Sequence, residues 1–217
     1  MQIHHLSENN SVLNHFLGQI RDVNIHNDSL RFRKNMERIG EIMAYEMSKN
    51  LDYQEVTIPT PLGTKPTHYI KNPLVICSIL RAGLTLHNGF LNYFDAAENG
   101  FISAYRHHPN NDDFFEIIVQ YQAVADINNK TVVVVDPMLA TGQSIVAVFK
   151  RLMERGTPSE IHIAVVIAAP EGIAHLETEL PDTCHLWIAA TDDHLNEHSY
   201  IVPGLGDAGD LAYGQKL

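Results

Sequence analysis

Cysteine, long apolar runs and excess basic charge are all scarce in this sequence of 217 residues. The two cysteines, Cys77 and Cys184, stand far apart inside apolar runs. We therefore expect buried reduced thiols, not a disulfide framework or a zinc site. No stretch approaches the roughly 18 consecutive apolar residues of a membrane span, and residues 1–10 lack the apolar core of a signal peptide. A cytoplasmic protein is expected.

Acidic residues outnumber basic ones, 26 to 15, for a formal net charge of −11 at pH 7. A nucleic-acid partner requires a basic face for its phosphate backbone, so this balance argues against one. A small phosphorylated substrate is not excluded, because a local group of backbone N–H groups can hold a phosphate whatever the net charge. The length and the hydrophobic content of 45% suit a single α/β domain, residues 1–217, with a small appendage.

Apolar runs alternate with helical periodicity along most of the chain. This alternation predicts an α/β fold with a central, mostly parallel sheet flanked by helices. Ligands of such sheets bind beyond the carboxyl ends of the strands, so the loops after these ends are the places to search. The predicted strands are 74–80, 101–105, 114–121, 131–135, 161–168 and 184–190, and the predicted helices are 30–51 (capped by Asp28 and Ser29), about 81–94, 144–155 and 171–180.

Two segments outside this alternation are predicted to be peripheral. Residues 1–30 are polar and irregular, which indicates an N-terminal arm or a short helix. Residues 54–70 contain two short β-like runs separated by the turn-rich residues 60–63. That pattern predicts a β-hairpin on an edge of the sheet.

Residues 132–144, VVVVDPMLATGQS, are the most informative segment. A strand of β-branched residues ends in Asp136, and a helix opens just after Gly142, so unpaired N–H groups and the positive helix end favour an anion there. The hydroxyls of Thr141 and Ser144 can donate to phosphate, and Asp136 can accept from sugar hydroxyls. The segment is not a Walker loop, because no lysine follows Gly142. The residues alone leave open an ordinary turn with Ser144 as N-cap.

Two short motifs match known signatures outside the context that those signatures require. GLGDAG at 204–209 fits a dinucleotide fingerprint, which needs a long helix and an acidic residue about 20 positions later, whereas eight residues follow Gly209. HLNEH at 194–198 fits a zinc-protease motif, which needs a helix and a third ligand downstream, whereas Pro203-Gly204 would break that helix. We expect neither function.

Four separated segments together resemble the uracil phosphoribosyltransferase family, a branch of the type I phosphoribosyltransferases. They are SILRAGL at 78–84, DPMLATG at 136–142, AAPEGI at 168–173 and NEHSYIVPGLGDAGD at 196–210. The resemblance implies a type I phosphoribosyltransferase fold, with a uracil-binding hood and tail at about 191–217. It also implies transfer of the phosphoribosyl group of phosphoribosyl pyrophosphate (PRPP) to N1 of uracil, giving UMP and pyrophosphate.

The resemblance further implies which residues act. Arg81, Arg106, Asp136 and Asp207 would be catalytic, with both arginines on the pyrophosphate. Mg²⁺ would enter bound to PRPP, with Asp207 as its candidate protein ligand. The implied PRPP-binding residues are Arg81, Arg106, Asp136, Pro137, Met138, Leu139, Ala140, Thr141, Gly142, Gln143, Ser144 and Asp207, and the implied uracil-binding residues are Ile201, Gly206, Asp207 and Ala208.

The family pattern also raises expectations about assembly, regulation and divergence. A homodimer or homotetramer and a GTP effector are implied, although the sequence identifies no GTP site. The expected lid over the site, residues 107–116, lacks the acidic-threonine-proline pattern of relatives. Gln143 stands where a second glycine is common, and Cys77-Ser78 replaces Val-Pro. Another base specificity, or a catalytically weak PRPP-binding regulator, therefore remains the alternative.

Overall fold

The computed structural model describes residues 1–107 and 116–216, with 105–107 and 116 described as backbone only. Strands and helices alternate through most of this range. The helices are α1 (Val12–Arg21), α2 (Ser29–Ser48), α3 (Gly83–Leu91), α4 (Gln143–Met153), α5 (Pro170–Glu179) and α6 (Ala208–Tyr213). The strands are β1 (Gln2–His5), β2 (Tyr53–Thr60), β3 (Gly63–Ile70), β4 (Leu74–Leu80), β5 (Glu98–His107), β6 (Glu116–Ala123), β7 (Thr131–Val135), β8 (Met138–Leu139), β9 (Glu160–Ala168), β10 (Cys184–Thr191), β11 (His194–Leu195) and β12 (Ile201–Val202).

The central sheet has the strand order β1-β10-β9-β7-β4-β5-β6, with β8 pairing beside β9. Within the described residues, β6 is the strand of this sheet that runs antiparallel to its neighbour, and the other pairs are parallel. β4 and β7 are adjacent, with Ser78 opposite Val135. The predicted α/β class with a mostly parallel sheet is confirmed.

Apolar side chains cover both faces of the sheet, as the strand sequences predict. Along β4, Leu74 and Ile76 join the core under α1, α2 and α3, whereas Val75 and Cys77 join the core under α4 and α5. Both cysteines are buried and unpaired, and burial raises the pKa of the Cys77 thiol to about 12. None of the described helices combines the length and apolar character needed to cross a membrane.

Two peripheral segments differ from the expectation. Residues 1–30 contain the expected short helix, α1, which buries Leu13 and Ile20 in the core, whereas β1 adds to the sheet edge beside β10 instead of forming an arm. The ring of His4 on β1 stacks on Trp187 of β10, with centroids 3.8 Å apart. Residues 54–70 form the expected hairpin, but β2 and β3 make a separate two-stranded sheet instead of joining an edge of the central one.

Helices α2 and α3 cross so closely that two glycines are required at the contact. A Cβ atom on Gly89 would lie 2.1 Å from the carbonyl oxygen of Glu37, and a Cβ on Gly40 would lie 2.6 Å from that of Leu86. Both neighbours are backbone atoms, which cannot move aside as a flexible side chain can. The contact of α3 with α2 therefore also fixes the position at which α3 begins, just after Arg81.

We predict opposite effects of two glycine-to-alanine changes. Gly89→Ala forces the two helices apart and should lower the free energy of unfolding by about 2–3 kcal/mol. Gly18→Ala is the matched control, because Gly18 lies within α1 with no neighbour within 4 Å of its added Cβ. This control should raise stability by about 0.5–1 kcal/mol. Urea unfolding measures both, and equal effects would contradict the described helix contact.

Candidate active site

A cleft of about 570 Å³ lies beyond the carboxyl ends of the central strands. Its wall contains both segments singled out in the sequence, the turn after β7 and the glycine-spaced tail. The predicted site residues that line it are Arg81, Asp136, Met138, Leu139, Ala140, Thr141, Gly142, Ser144, Ile201, Gly206, Asp207 and Ala208. The lining residues absent from that prediction are Ile79, Leu80, Ala82, Ala104, Ile145, Ser199, Tyr200, Gly209 and Lys216.

Three predicted site residues are not part of the described cleft wall. Pro137 is buried, and its carbonyl accepts from the N–H groups of Val166 and Ile167 at 3.1 and 3.0 Å, so it anchors the turn to β9. Gln143 is exposed at the start of α4. The side chain of Arg106 lies outside the described residues, as do residues 108–115 of the predicted lid.

The turn after β7 is held so that the start of α4 opens on the cleft. Gly142 is the N-cap of α4 with φ 79°, and no side chain caps the helix, so the alternative with Ser144 as N-cap is wrong. A Cβ on Gly172 would lie 2.2 Å from the carbonyl oxygen of Ala140. The AAPEGI motif therefore has a structural reason, since its glycine lets α5 support the turn from behind.

The carboxyl group of Asp136 stands at the mouth of β7, half-buried against the cleft. Burial raises its pKa to about 7, against the smaller opposing effect of the Met138 N–H, which donates to Oδ1 at 3.3 Å. A carboxyl group with this pKa changes its charge near neutral pH. As a carboxylate it has free acceptor capacity for hydroxyl groups of a ligand.

The tail forms the other wall of the cleft. β11 and β12 pair antiparallel, and Asp207 caps the six-residue α6 by accepting from the Asp210 N–H at 2.9 Å. Gly206 has φ 93°, a conformation that favours glycine. The HLNEH motif at 194–198 begins in a strand and continues into a turn, so it lacks the helix that a zinc protease requires. The GLGDAG motif at 204–209 leads into α6, which is shorter than the helix of a dinucleotide fingerprint. Within the described residues, no group of three or more His, Cys, Asp or Glu could hold a metal ion.

A partly buried ion pair that the sequence patterns did not reveal fixes the base of this tail. The guanidinium of Arg21 donates to both carboxylate oxygens of Asp192, at 2.8 and 2.5 Å. Asp192 also accepts from the N–H of Gly204 at 2.8 Å, while Arg21 donates to the Gly204 carbonyl at 3.0 Å. Helix α1 thus holds the tail through both polar backbone groups of one glycine.

A second arginine contacts the tail inside the cleft. Arg81 follows β4, and its Nη2 donates to Oδ1 of Asp210 at 2.7 Å. Its Nη1 donates to the carbonyl oxygen of Gly214 at 3.2 Å. The guanidinium therefore bridges the loop after β4 and the C-terminal helix.

Together these features define a class of α/β proteins with a ligand cleft at the carboxyl edge of a parallel sheet. The start of α4, with the hydroxyls of Thr141 and Ser144, lines the cleft together with Asp136 at the end of β7. Gly206 of the tail lines the same cleft and lets the backbone approach a ligand closely. Comparison with known proteins narrows the class. The family model described as uracil phosphoribosyltransferase matches residues 7–215.

Individual relatives agree with the family match. The chain is 50% identical over 217 residues, all of both chains, to a uracil phosphoribosyltransferase of Porphyromonas gingivalis. It is 37% identical to one of Thermococcus gammatolerans, covering 97% of this chain and 92% of the relative. A solved protein of Aquifex aeolicus superposes with a TM-score of 0.87 at 29% identity, covering 98% of each chain. The chain belongs to the uracil phosphoribosyltransferase family, which confirms the resemblance.

The clamp between α1 and the tail should carry measurable stability. Asp192→Asn leaves the half-buried Arg21 without its charge partner, so we expect the free energy of unfolding to fall by about 3 kcal/mol. Asp193→Asn is the matched control, since the neighbouring residue is exposed and should shift stability by less than about 0.5 kcal/mol. Urea unfolding at pH 7 compares the two, and similar losses would contradict the clamp.

The raised pKa of Asp136 predicts that removing its charge increases the stability of the fold by an amount that depends on pH. The folded pKa of about 7 exceeds the unfolded value of 3.8, so the wild type loses stability as pH rises between these values. Asp136→Asn escapes this loss and should gain up to about 4 kcal/mol over the wild type between pH 4 and pH 8. Urea unfolding across this range measures the difference, and a difference independent of pH would refute the raised pKa.

Proposed function

We propose that this chain carries out the reaction for which its family is named, transfer of the phosphoribosyl group of PRPP to N1 of uracil, giving UMP and pyrophosphate. Family membership supports the reaction. The observation that carries the site assignment is that a single cleft is lined by both the turn after β7 and the glycine-spaced tail. Two substrates must meet for this reaction, and the two walls supply a place for each.

We assign the sugar phosphate to the wall formed by β7 and α4. The hydroxyls of Thr141 and Ser144 line the cleft and can donate to the 5′-phosphate beside the start of α4. The Asp136 carboxylate can accept from the ribose hydroxyls. As pyrophosphate leaves C1′, positive charge develops on the ribose, and Arg81 with Arg106 would stabilise the departing anion.

We assign uracil to the tail. Uracil presents two carbonyls flanking an N–H, so backbone groups near Ile201, Gly206 and Ala208 can read its edge. All three residues line the same cleft as Asp136 and its turn. N1 would then approach C1′ from the face opposite to the leaving pyrophosphate. The chain's main contribution is to hold both substrates in this geometry, and no protein nucleophile is needed.

The cleft is compatible with Mg²⁺ carried in on PRPP. Mg²⁺ prefers one or two carboxylates together with substrate phosphates and waters, so it needs no cage of protein ligands. Asp136 and Asp207 both line the cleft, and the capping bond to α6 uses only Oδ1 of Asp207. When bound, Mg²⁺ would neutralise part of the charge of the pyrophosphate group.

We further propose a cytoplasmic enzyme that assembles as a homodimer or homotetramer. The β2–β3 hairpin supports self-association, because it stands apart from the central sheet and exposes Leu62 and Tyr69. Activation by GTP is proposed from the family resemblance alone. No nucleic acid or membrane partner is proposed.

The reaction is tested by incubating the protein with PRPP, Mg²⁺ and radiolabelled uracil. We expect labelled UMP from the wild type and a loss of kcat/KM of at least about 100-fold in Asp136→Asn, as for removal of one group that acts at developing charge. Asp126→Asn, in the exposed loop before β7, is the matched control and should retain activity. Full activity of Asp136→Asn would overturn the assignment of this residue.

The same assay distinguishes the alternative functions. Uracil should be used in preference to cytosine, orotate and hypoxanthine. Turnover of another base with no turnover of uracil would show a different specificity. Binding of PRPP with no turnover of any base would indicate a regulator.

A further inference from the structure

The guanidinium of Arg81 is already occupied by the protein's own acceptors. Nη2 donates to the Asp210 carboxylate at 2.7 Å and Nη1 to the Gly214 carbonyl at 3.2 Å. The two charged side chains are comparably exposed, at 36% and 33%. The contact joins the loop after β4 to α6, elements that lie 129 residues apart in sequence.

These bonds take up two of the five N–H groups that the guanidinium can offer a ligand. A guanidinium offers two bidentate edges, Nε with Nη2 and Nη1 with Nη2. Nη2 carries one N–H on each edge, and Asp210 accepts from Nη2, so its carboxylate takes up a donor of one of the two edges. Nε of Arg81 is buried and, within the described residues, has no hydrogen-bond partner. An oxyanion that binds Arg81 through that edge must therefore displace the carboxylate of Asp210.

We propose that Asp210 is an internal competitor for the pyrophosphate group, holding Arg81 until pyrophosphate or PRPP replaces its carboxylate. The inference rests on the proposed role of Arg81 in binding pyrophosphate. Asp210 carries a negative charge at 2.7 Å from that ligand's anchor, so it opposes a polyanion both by occupying the donor and by repulsion.

The replacement of Asp210 by pyrophosphate on Arg81 would take place beside the wall assigned to uracil. Asp210 lies within α6, directly after Ala208 and Gly209, which line the cleft. A Cβ on Gly209 would lie 3.1 Å from Oδ1 of Asp207 and 3.6 Å from Nη2 of Arg81. The Arg81–Asp210 pair therefore borders the segment assigned to uracil.

Titration of the protein with magnesium pyrophosphate in a calorimeter tests the competition between Asp210 and pyrophosphate. Asp210→Asn removes the competing charge and should bind pyrophosphate roughly two- to fivefold more tightly than the wild type, as expected for loss of a half-exposed ion pair. Glu154→Gln is the matched control: it also removes a carboxylate paired with an arginine at 2.8 Å, at the far end of α4, and should leave the Kd unchanged. In an Arg81→Gln background, Asp210→Asn should give a smaller gain, because only the repulsion between Asp210 and pyrophosphate is then removed.

Each outcome bears on a defined claim. Tighter binding cannot arise from a merely damaged fold, and thermal unfolding followed by circular dichroism checks that the variants are folded. Unchanged or weaker binding by Asp210→Asn overturns the competition, while UMP synthesis by the wild type leaves the proposed function standing. If the wild type binds no pyrophosphate and makes no UMP, the proposed function falls, and the competition with it.

Discussion

The parallel pairing of β4 with β7 is the constraint on which the cleft depends. Ser78 lies opposite Val135, so the two strands end side by side at the same edge of the sheet. Arg81 and Asp136 consequently leave the sheet together, although 54 residues separate them in the sequence. Both strands are buried on both faces, which prevents a shift in register without moving apolar side chains out of the core.

The two walls of the cleft are held by different forces. The wall with Asp136 belongs to the sheet, and its turn continues the sheet through the pairing of β8 with β9. The tail has the two-residue strands β11 and β12 and the short helix α6, and it buries Ile201, Leu205, Ala208 and Ala212 in the core. Arginines from three other elements also hold it: Arg21 on Asp192, Arg33 on the Ala212 carbonyl, and Arg81 on Asp210. Changes in charge should therefore affect the uracil wall more than the sugar-phosphate wall.

Features that depend on neighbouring residues in the sequence could be predicted from it. Residues 131–135 are five β-branched residues, and β7 has these bounds. By contrast, β1 contains two histidines in four residues, and in the sheet it pairs with β10 and stacks His4 on Trp187, contacts that no local pattern reveals. The pairing of Arg21 with Asp192 spans 171 residues and leaves no trace in spacing. A motif also marks contiguous residues, whereas the folded turn brings only some of them to the cleft, which is why Pro137 and Gln143 do not line it.

An acidic protein that binds a polyanion must build its site from local donors. The described cleft contains Asp136 and Asp207 but only two basic side chains, Arg81 and Lys216, and Arg81 is already paired. The raised pKa of Asp136 lessens the repulsion, because this group is partly protonated near neutral pH. Backbone N–H groups at the start of α4 add positive potential without adding a charged side chain. Affinity for the sugar phosphate should therefore depend on the helix start and a bound cation more than on the net charge of −11.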